Sequence, residues 1–229
     1  LRLLQPMSES TVSILEIENV TPEVKRFVTD RPDGYQFRPG QATEVAIAKD
    51  GWRDEERPFT FTSLPNDAKL EFTIKIYPER DGVTDRLGDL KEGDELILGD
   101  AWGAIEYMGT GTFIAGGAGI TPFISILREL EKEEKLKGNR LIFSNDRESD
   151  VILAGELRRL LGDDAKFVIT DEESERYFSG RVDEDYLKKQ ISDFDQYFYV
   201  CGPPAMVEDV TEALKKLGAD ESRIVTEEA

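Results

Sequence analysis

The chain contains no histidine and only one cysteine among its 229 residues. Without histidine, neither a histidine-based zinc site nor a Ser-His-Asp triad can form. The single cysteine, Cys201, excludes an internal disulfide and a four-cysteine iron–sulfur cluster within the chain. We therefore predict no metal site, and we expect a reducing compartment, most simply the cytoplasm.

Long hydrophobic runs and positive charge are also scarce. No apolar run approaches the roughly 18 residues that cross a bilayer, so we expect no membrane insertion. Lys and Arg number 29 against 48 Asp and Glu, which gives a formal net charge of −19. That charge argues against nucleic acid and anionic membranes as partners. The length allows one large domain or two domains of ordinary size, with enough residues to bury a core.

The first half of the chain is rich in short alternating segments. Residues 12–17, 44–48 and 70–76 alternate apolar and polar side chains with a period of two, as strands do. Turn-forming residues such as Pro39-Gly40 and Lys49-Asp50-Gly51 separate them. This pattern predicts a small antiparallel barrel, interrupted by one short helix near residues 84–90.

The pattern changes after Gly109, where short apolar strands begin to alternate with helices. Such alternation predicts a doubly wound parallel sheet. The predicted strands cover residues 112–115, 140–143, 166–169, 196–200 and 223–226. The predicted helices cover residues 122–135, 150–161, 183–191 and 205–217.

Two motifs follow strands of this second half. In the run 116–122, glycines allow close approach of a pyrophosphate, Thr121 is a plausible N-cap, and Pro122 suits the first helical position. The helix start then offers free N–H groups to phosphate. Cys201-Gly202-Pro203-Pro204 follows the fourth strand, so Cys201 is expected to point into the crevice where ligands bind in such sheets. Taken singly, the two motifs also fit a tight turn and a buried cysteine.

A third motif, at residues 57–63, lies on a predicted barrel strand. Arg57 can pair with a phosphate, Phe59 offers an aromatic face, and Thr60 offers a hydroxyl. Gly82-Val83-Thr84 starts the short helix and offers a second anion site of the same physical kind. Alone, the run 57–63 also fits an ordinary barrel strand that carries aromatic residues.

The order of these four motifs resembles the ferredoxin–NADP reductase superfamily, and more closely its flavodoxin-reductase and cytochrome b5 reductase-like members. The resemblance extends from about residue 10 to the end of the chain. It implies a six-stranded antiparallel Greek-key β-barrel that binds flavin at residues 8–108. It also implies a doubly wound five-stranded parallel sheet that binds a nicotinamide nucleotide at residues 110–229.

The resemblance also implies roles for individual residues. Arg57 would bind a flavin phosphate, Phe59 would stack on the ring, and Thr60 would contact N5, the atom that accepts hydride. Cys201 would lie near the nicotinamide C4, so Thr60 and Cys201 are the candidate catalytic residues. A pyrophosphate contact at residues 82–84 favours FAD over FMN. The full set of candidate cofactor-binding residues is Arg57, Pro58, Phe59, Thr60, Lys75, Gly82, Val83, Thr84, Gly117, Gly119, Thr121, Pro122, Cys201, Gly202 and Pro203.

Two departures from the family pattern concern the flavin. Phe59 stands where the family usually has tyrosine, so stacking is kept and a hydroxyl contact is lost. The sequence ends Thr226-Glu227-Glu228-Ala229, without the aromatic residue that covers the other flavin face in some members. One expectation is ungated access of nicotinamide, and the alternative is that Glu227 or Glu228 reaches the site.

The resemblance predicts an enzyme that takes hydride from NADH or NADPH onto FAD and passes single electrons to a small carrier protein, a flavodoxin, ferredoxin or cytochrome. The acidic run 171–175 favours NADH, whereas Arg147 and Arg176 favour NADPH. Two alternatives stay open. The chain is the reductase subunit of a multicomponent oxygenase, or it is a non-catalytic dinucleotide-binding redox module.

Overall fold

The structure is a computed structural model that describes residues 9–78, 81–103 and 105–227. Its strands form two six-stranded sheets, the first built from the N-terminal half of the chain and the second from the C-terminal half. Five α-helices accompany the strands. None of the helices in these ranges combines the length and the apolar character that a membrane crossing requires.

The first sheet is antiparallel, with the strand order β4-β3-β6-β1-β2-β5. Its strands are β1 (Ser10–Thr21), β2 (Val24–Thr29), β3 (Ala42–Ile47), β4 (Arg57–Thr60), β5 (Leu70–Lys75) and β6 (Glu95–Leu98). Beyond the end of β4, Phe61 pairs with Phe72 of β5, so the two edges meet and the sheet closes into a barrel. Closure removes the exposed edges that an open sheet would present. This confirms the predicted six-stranded barrel.

The barrel core consists of inward-facing apolar side chains from all around the sheet. Phe61 stacks on Phe37, with 4.2 Å between ring centroids, and contacts the tilted ring of Phe72 at 5.0 Å. The helix α1 (Val83–Gly88) covers one opening of the barrel, and its Val83 and Leu87 are buried in the same core. The predicted short helix is therefore confirmed.

The second sheet is parallel, with the strand order β10-β9-β8-β7-β11-β12. Its strands are β7 (Gly111–Gly116), β8 (Arg140–Asn145), β9 (Ala165–Ile169), β10 (Phe178–Ser179), β11 (Tyr197–Cys201) and β12 (Ile224–Thr226). The prediction of five strands was wrong by one. The additional strand β10 contains two residues, too few for a hydrophobic pattern to reveal.

Helices cover both faces of this sheet, which confirms the doubly wound arrangement. They are α2 (Thr121–Lys132), α3 (Ala154–Leu161), α4 (Glu184–Gln190) and α5 (Pro204–Lys216). Alternate residues of the central strand β7 face opposite layers: Phe113 packs with α2 and α3, whereas Ile114 packs with α4 and α5. Helix α3 starts four residues later than predicted, because Asp150 belongs to a short 3-10 turn and Leu153 adopts a left-handed φ of 52°.

Candidate functional site

One cavity of about 890 Å³ lies between the barrel and the carboxyl edge of the parallel sheet. The barrel contributes strand β4 and the end of β5, and the parallel sheet contributes the loops that follow β7, β8, β9 and β11. Ligands of open α/β sheets bind at this edge. The cavity is thus the place where the two halves can act on one ligand set.

Most of the predicted site residues lie around this single cavity. Twelve of the fifteen line it, namely Pro58, Phe59, Thr60, Lys75, Thr84, Gly117, Gly119, Thr121, Pro122, Cys201, Gly202 and Pro203. Among the described residues, the other three do not. Arg57 is exposed and its Nη1 donates to the carbonyl of Glu56. Gly82 immediately precedes α1, and Val83 is buried in the barrel core, so only backbone groups of these two can face a ligand.

Residues 57–60 of strand β4 lie ahead of the closing pair Phe61–Phe72, and they line the cavity from Pro58 to Thr60. Strand β4 pairs on one side with β3, where Phe59 is opposite Thr43 and Thr60 is opposite Ala42. A proline such as Pro58 is tolerated at such an edge, where its missing N–H breaks no ladder. Phe59 and Thr60 are half-buried, so an aromatic face and a hydroxyl both stay accessible.

Lys75, at the end of β5, is the lysine of the cavity wall. Its Nζ lies 3.1 Å from a carboxylate oxygen of Glu23 and 5.5 Å from the ring centroid of Tyr77. Burial works to lower the pKa of Lys75, but the hydrogen bond and charge of Glu23, with Tyr77 and Asp146, raise it above its ordinary value. Lys75 therefore carries its positive charge at neutral pH.

The glycines of the turn after β7 also have a packing role that the sequence did not predict. A Cβ on Gly119 would lie 2.4 Å from the carbonyl oxygen of Cys201, and one on Gly116 would lie 2.3 Å from the sulfur of Met206. A Cβ on Gly202 would in turn meet the backbone nitrogen of Gly116 at 3.0 Å. These three glycines let the turn after β7 and the Cys-Gly-Pro-Pro loop pack on each other. At Gly117, with φ at 51°, a Cβ would meet nothing within 4 Å, so the space beside it is open.

Helix α2 begins one residue earlier than predicted. Ile120 is the N-cap, Thr121 is the first helical residue, and Pro122 is the second. The Thr121 hydroxyl donates to the carbonyl of Ala118 at 3.0 Å, which steadies the 3-10 turn (Gly117–Ile120) that leads into the helix. The predicted capping role of Thr121 was therefore wrong, although proline still occupies the first turn, where its missing N–H costs nothing.

Cys201 ends β11 and is 6% exposed at the cavity wall. Its thiol donates to a carboxylate oxygen of Glu227, with 3.6 Å between sulfur and oxygen. Burial, and then the charge and hydrogen bond of Glu227, hold the pKa of this thiol well above its ordinary value. Cys201 is thus a protonated hydrogen-bond donor and no nucleophile at neutral pH. Of the two predicted acids, Glu227 reaches the site, and Glu228 lies outside the described residues.

Charged and polar groups collect at the carboxyl ends of β8 and β9. Asp146 and Asp171 line the cavity there, and the Thr170 hydroxyl donates to Asp146 at 3.3 Å. Asn145, which ends β8, is 5% exposed, and neither atom of its amide has a hydrogen-bond partner within the described chain. No role was predicted for Asn145 from the sequence. Its position at a strand's carboxyl end was the available signal.

Comparison with known proteins agrees with this geometry. Residues 113–212 match the family described as "Oxidoreductase NAD-binding domain". The NADH-cytochrome b5 reductase 2 of Mycosarcoma maydis is 30% identical over 87% of this chain and 63% of its own length. The reductase component of the naphthalene 1,2-dioxygenase system of Pseudomonas putida is 24% identical over 93% of this chain and 66% of its own length. The chain thus spans less than two thirds of each relative.

A solved structure shares the fold along nearly the whole chain. The flavohem-like FAD/NAD binding domain of nitric oxide dioxygenase from Vibrio cholerae superposes with a TM-score of 0.83 at 23% identity. The superposition covers 94% of this chain and 96% of that domain. The chain therefore has the two-domain fold of that structure, a barrel before a doubly wound sheet with one cavity between them, and its residues 113–212 match the oxidoreductase NAD-binding domain.

Proposed function

We propose that the chain is an FAD-dependent NAD(P)H oxidoreductase that delivers single electrons to a protein carrier. The observation that carries the proposal is the shared cavity, which brings Phe59 and Thr60 of the barrel to the same space as the glycine turn and Cys201. FAD, when bound, supplies the redox chemistry by accepting hydride and releasing electrons one at a time. The chain supplies binding, orientation and charge. We further propose residues 8–108 as the flavin domain and residues 110–229 as the nucleotide domain.

The residues around the cavity fit a flavin and a nicotinamide nucleotide. Phe59 offers a half-buried ring for stacking, and Thr60 next to it offers a hydroxyl at the hydride-accepting edge. Lys75 keeps its positive charge near the phosphates. Open space at Gly117, at the start of the turn that leads into α2, leaves backbone N–H groups accessible to a pyrophosphate. On the nucleotide side, Cys201 supplies a neutral donor that can orient the nicotinamide.

NADH is the nucleotide we propose. Asp146, Asp150 and Asp171 line the cavity at the ends of β8 and β9, and their charges oppose a 2′-phosphate. Of the arginines that favoured NADPH, neither Arg147 nor Arg176 belongs to the cavity lining among the described residues. Arg176 instead lies over the ring of Tyr177, at 5.3 Å from its centroid. Arg181 does line the cavity and is the argument for NADPH.

The electron acceptor we propose is a small carrier protein, a ferredoxin, flavodoxin or cytochrome. The relative from Mycosarcoma maydis is named for cytochrome b5 and the one from Pseudomonas putida for ferredoxin. The second relative is a component of a dioxygenase system, which supports the reductase subunit of an oxygenase as the alternative. A cytoplasmic location fits the single buried cysteine.

The test is the anaerobic visible spectrum of the FAD-loaded protein before and after NADH, then NADPH. We expect flavin bands that bleach with NADH at lower concentration than with NADPH. Thr60→Val is expected to slow bleaching roughly tenfold, the effect of one lost hydrogen bond of about 1.4 kcal/mol. Arg57→Gln is expected to weaken FAD retention.

Matched controls exist for both variants. Thr11→Val removes an exposed barrel hydroxyl, and Arg53→Gln removes an exposed guanidinium four residues before Arg57. Neither control is expected to change loading or bleaching. Normal behaviour of Thr60→Val and Arg57→Gln would remove those two roles. A protein that takes up no flavin would overturn the proposed function and favour the non-catalytic dinucleotide-binding module.

A further inference from the structure

Helix α2 carries a stripe of polar side chains although most of its other residues are apolar and buried. The stripe consists of Thr121, Ser125, Arg128 and Lys132, whose spacing of four, three and four residues places them on one face of the helix. Thr121 lines the cavity, so the stripe leads from the cavity toward the other end of α2. Because buried polar groups need hydrogen-bond partners, the partners of the stripe show what it does.

Ser125 contacts the segment that leads into β3. The residue is 0% exposed, and its hydroxyl accepts the N–H of Gly40 at 3.0 Å. Gly40 has a φ of 87°, and a Cβ there would overlap the carbonyl oxygen of Ile105, so only glycine allows this close approach. Two residues after Gly40, β3 begins at Ala42, which is opposite Thr60 of β4.

Arg128 contacts the segment that follows β4. Its Nη1 donates to the carbonyl of Thr62 at 2.7 Å and to a carboxylate oxygen of Glu71 at 2.7 Å. The Thr62 hydroxyl donates to the same carboxylate oxygen at 2.8 Å. Through Nε and Nη2, the guanidinium also donates to Glu156 of α3, which anchors it in the second half of the chain. Arg128 thus holds the backbone two residues beyond Thr60.

The two contacts hold the same end of one strand pair. Ser125 holds β3 two residues before Ala42, Arg128 holds β4 two residues after Thr60, and the two strands are antiparallel with Ala42 opposite Thr60. Both Ala42 and Thr60 line the cavity. The same helix begins at the glycine turn on the other side of the cavity. One helix therefore connects the proposed nucleotide site to both strands of the proposed flavin site.

We propose that Ser125 and Arg128 are positioning residues for hydride transfer, because they fix α2 against β3 and β4. Neither residue belongs to the cavity lining among the described residues, so both act through the elements that they hold. A displacement of about 1 Å between reacting groups can cost about a hundredfold in rate. The inference rests on the proposed function, in which a hydride, a proton with two electrons, passes from NADH to FAD and leaves NAD⁺.

The test is anaerobic stopped-flow reduction of the FAD-loaded protein over a range of NADH concentrations. We expect the limiting rate of flavin bleaching to fall about tenfold in Ser125→Ala and in Arg128→Met, and about a hundredfold in the double variant. The half-saturating NADH concentration and the retention of FAD should stay within about twofold, because only the approach of the reacting groups changes. Ser125→Ala removes a single hydroxyl and suffices for the test if Arg128→Met does not fold.

Amide hydrogen exchange without nucleotide gives a readout that does not depend on activity. The N–H of Gly40 donates to Ser125, and the N–H of Thr62 donates to the carbonyl of Glu71. We expect Arg128→Met to speed exchange at Gly40, and Ser125→Ala to speed exchange at Thr62, each roughly tenfold. Each substitution then loosens the contact that the other residue makes, as two anchors of one helix require.

Two matched controls remove comparable groups whose partners lie within the second half of the chain. Thr112 is 0% exposed, and its hydroxyl donates to Gln196 at 3.0 Å. Arg159 pairs with Glu131 between α2 and α3. We expect Thr112→Val to lower the melting temperature, and we expect neither Thr112→Val nor Arg159→Met to change the limiting rate or the exchange at Gly40 and Thr62.

Four results would overturn the inference while the proposed function stands. They are unchanged limiting rates in the Ser125 and Arg128 variants, a fall in rate that Thr112→Val shares, a raised half-saturating NADH concentration at an unchanged limiting rate, and unchanged exchange at Gly40 and Thr62. In each case NADH would still bleach the flavin of the unmodified protein. If NADH did not bleach it, the proposed function would be overturned and the inference with it.

Discussion

At the scale of single residues, the glycines of the nucleotide edge have a packing role that a substitution can measure. A Cβ on Gly119 would lie 2.4 to 2.6 Å from the Cys201–Gly202 peptide, which is backbone and cannot turn away. We expect Gly119→Ala to lower the free energy of unfolding by about 1–3 kcal/mol, as overpacking does, and to weaken NADH binding. Urea denaturation and calorimetry measure the two effects.

Gly155 is the control for this substitution. It lies in α3, and a Cβ there would meet nothing within 4 Å. Gly155→Ala is therefore expected to raise the free energy of unfolding by about 0.5–1 kcal/mol, the usual gain from replacing glycine in a helix. If Gly119→Ala were tolerated as well as Gly155→Ala, the contact between the two loops would not exist as described.

The same residues show what the sequence could and could not predict about the site. Spacing and residue type identified the glycine turn and the Cys201 loop, because both follow apolar strands. The packing role of Gly116 and Gly119 could not be predicted, because it depends on β7 and β11 being neighbours in the sheet. The sequence could not predict the unpaired amide of Asn145 either. The lack of a hydrogen-bond partner becomes evident only when the positions of all neighbouring residues are known.

At the scale of elements, the regular pattern of strands and helices was predictable, and its exceptions were local. Apolar periodicity placed the ends of α2, α4 and α5 within three residues of their observed ends. Strand β10 has only two residues, and the left-handed Leu153 delays α3 without a glycine to signal it. Such features depend on tertiary contacts, which periodicity does not contain.

One half-buried cluster of charges connects elements of both halves. Arg128 of α2 donates from Nη1 to Glu71 of β5 at 2.7 Å and from Nε to Glu156 of α3 at 2.7 Å. The same Nη1 also donates to the carbonyl of Thr62, two residues beyond Thr60, at 2.7 Å. Arg128 thereby links α2, which follows the glycine turn, to β5 and to the segment that follows β4 of the proposed flavin site.

We expect Arg128→Met to lower the free energy of unfolding by about 2–4 kcal/mol, because it leaves the half-buried carboxylate of Glu156 without its cation and leaves Glu71 with Arg26 alone, at 3.1 Å. Arg159→Met is the control: Arg159 pairs with Glu131 between the same two helices, but at 57% and 42% side-chain exposure. Exposed pairs of this kind contribute at most about 1 kcal/mol. Equal losses in the two variants, measured by urea denaturation, would contradict the linking role of Arg128.

The same cluster has a defined pH dependence. Burial works to raise the pKa of Glu71, but the charge and hydrogen bonds of Arg128, with Thr62 and Arg26, lower it below its ordinary value of 4.5. A carboxyl with a lowered pKa in the folded state stabilises the fold above 4.5 and loses this contribution as the pH falls through its folded value. Arg128→Met should therefore show a smaller loss of stability on acidification than the unmodified protein.

At the scale of the whole molecule, the excess of acidic residues makes stability depend on salt. The net charge is −19, and the absence of histidine keeps it nearly constant from pH 6 to 8. Like charges repel over about 10 Å at 0.1 M salt but over only about 3 Å at 1 M. We expect the melting temperature to rise by several degrees between 0.05 and 1 M KCl, by the same amount at pH 6.5 and pH 8.

A variant that removes part of this charge tests the cause. Asp54, Glu55 and Glu56 form an exposed acidic run on the loop between β3 and β4. Changing them together to Asn, Gln and Gln reduces the magnitude of the negative net charge from −19 to about −16. The melting temperature at 0.05 M KCl should therefore rise, and its dependence on KCl should weaken. A melting temperature independent of KCl in both proteins, measured by differential scanning calorimetry, would show that self-repulsion does not limit this fold. Ion pairs such as Lys49 with Asp94 and Arg38 with Glu106 would then offset the excess charge.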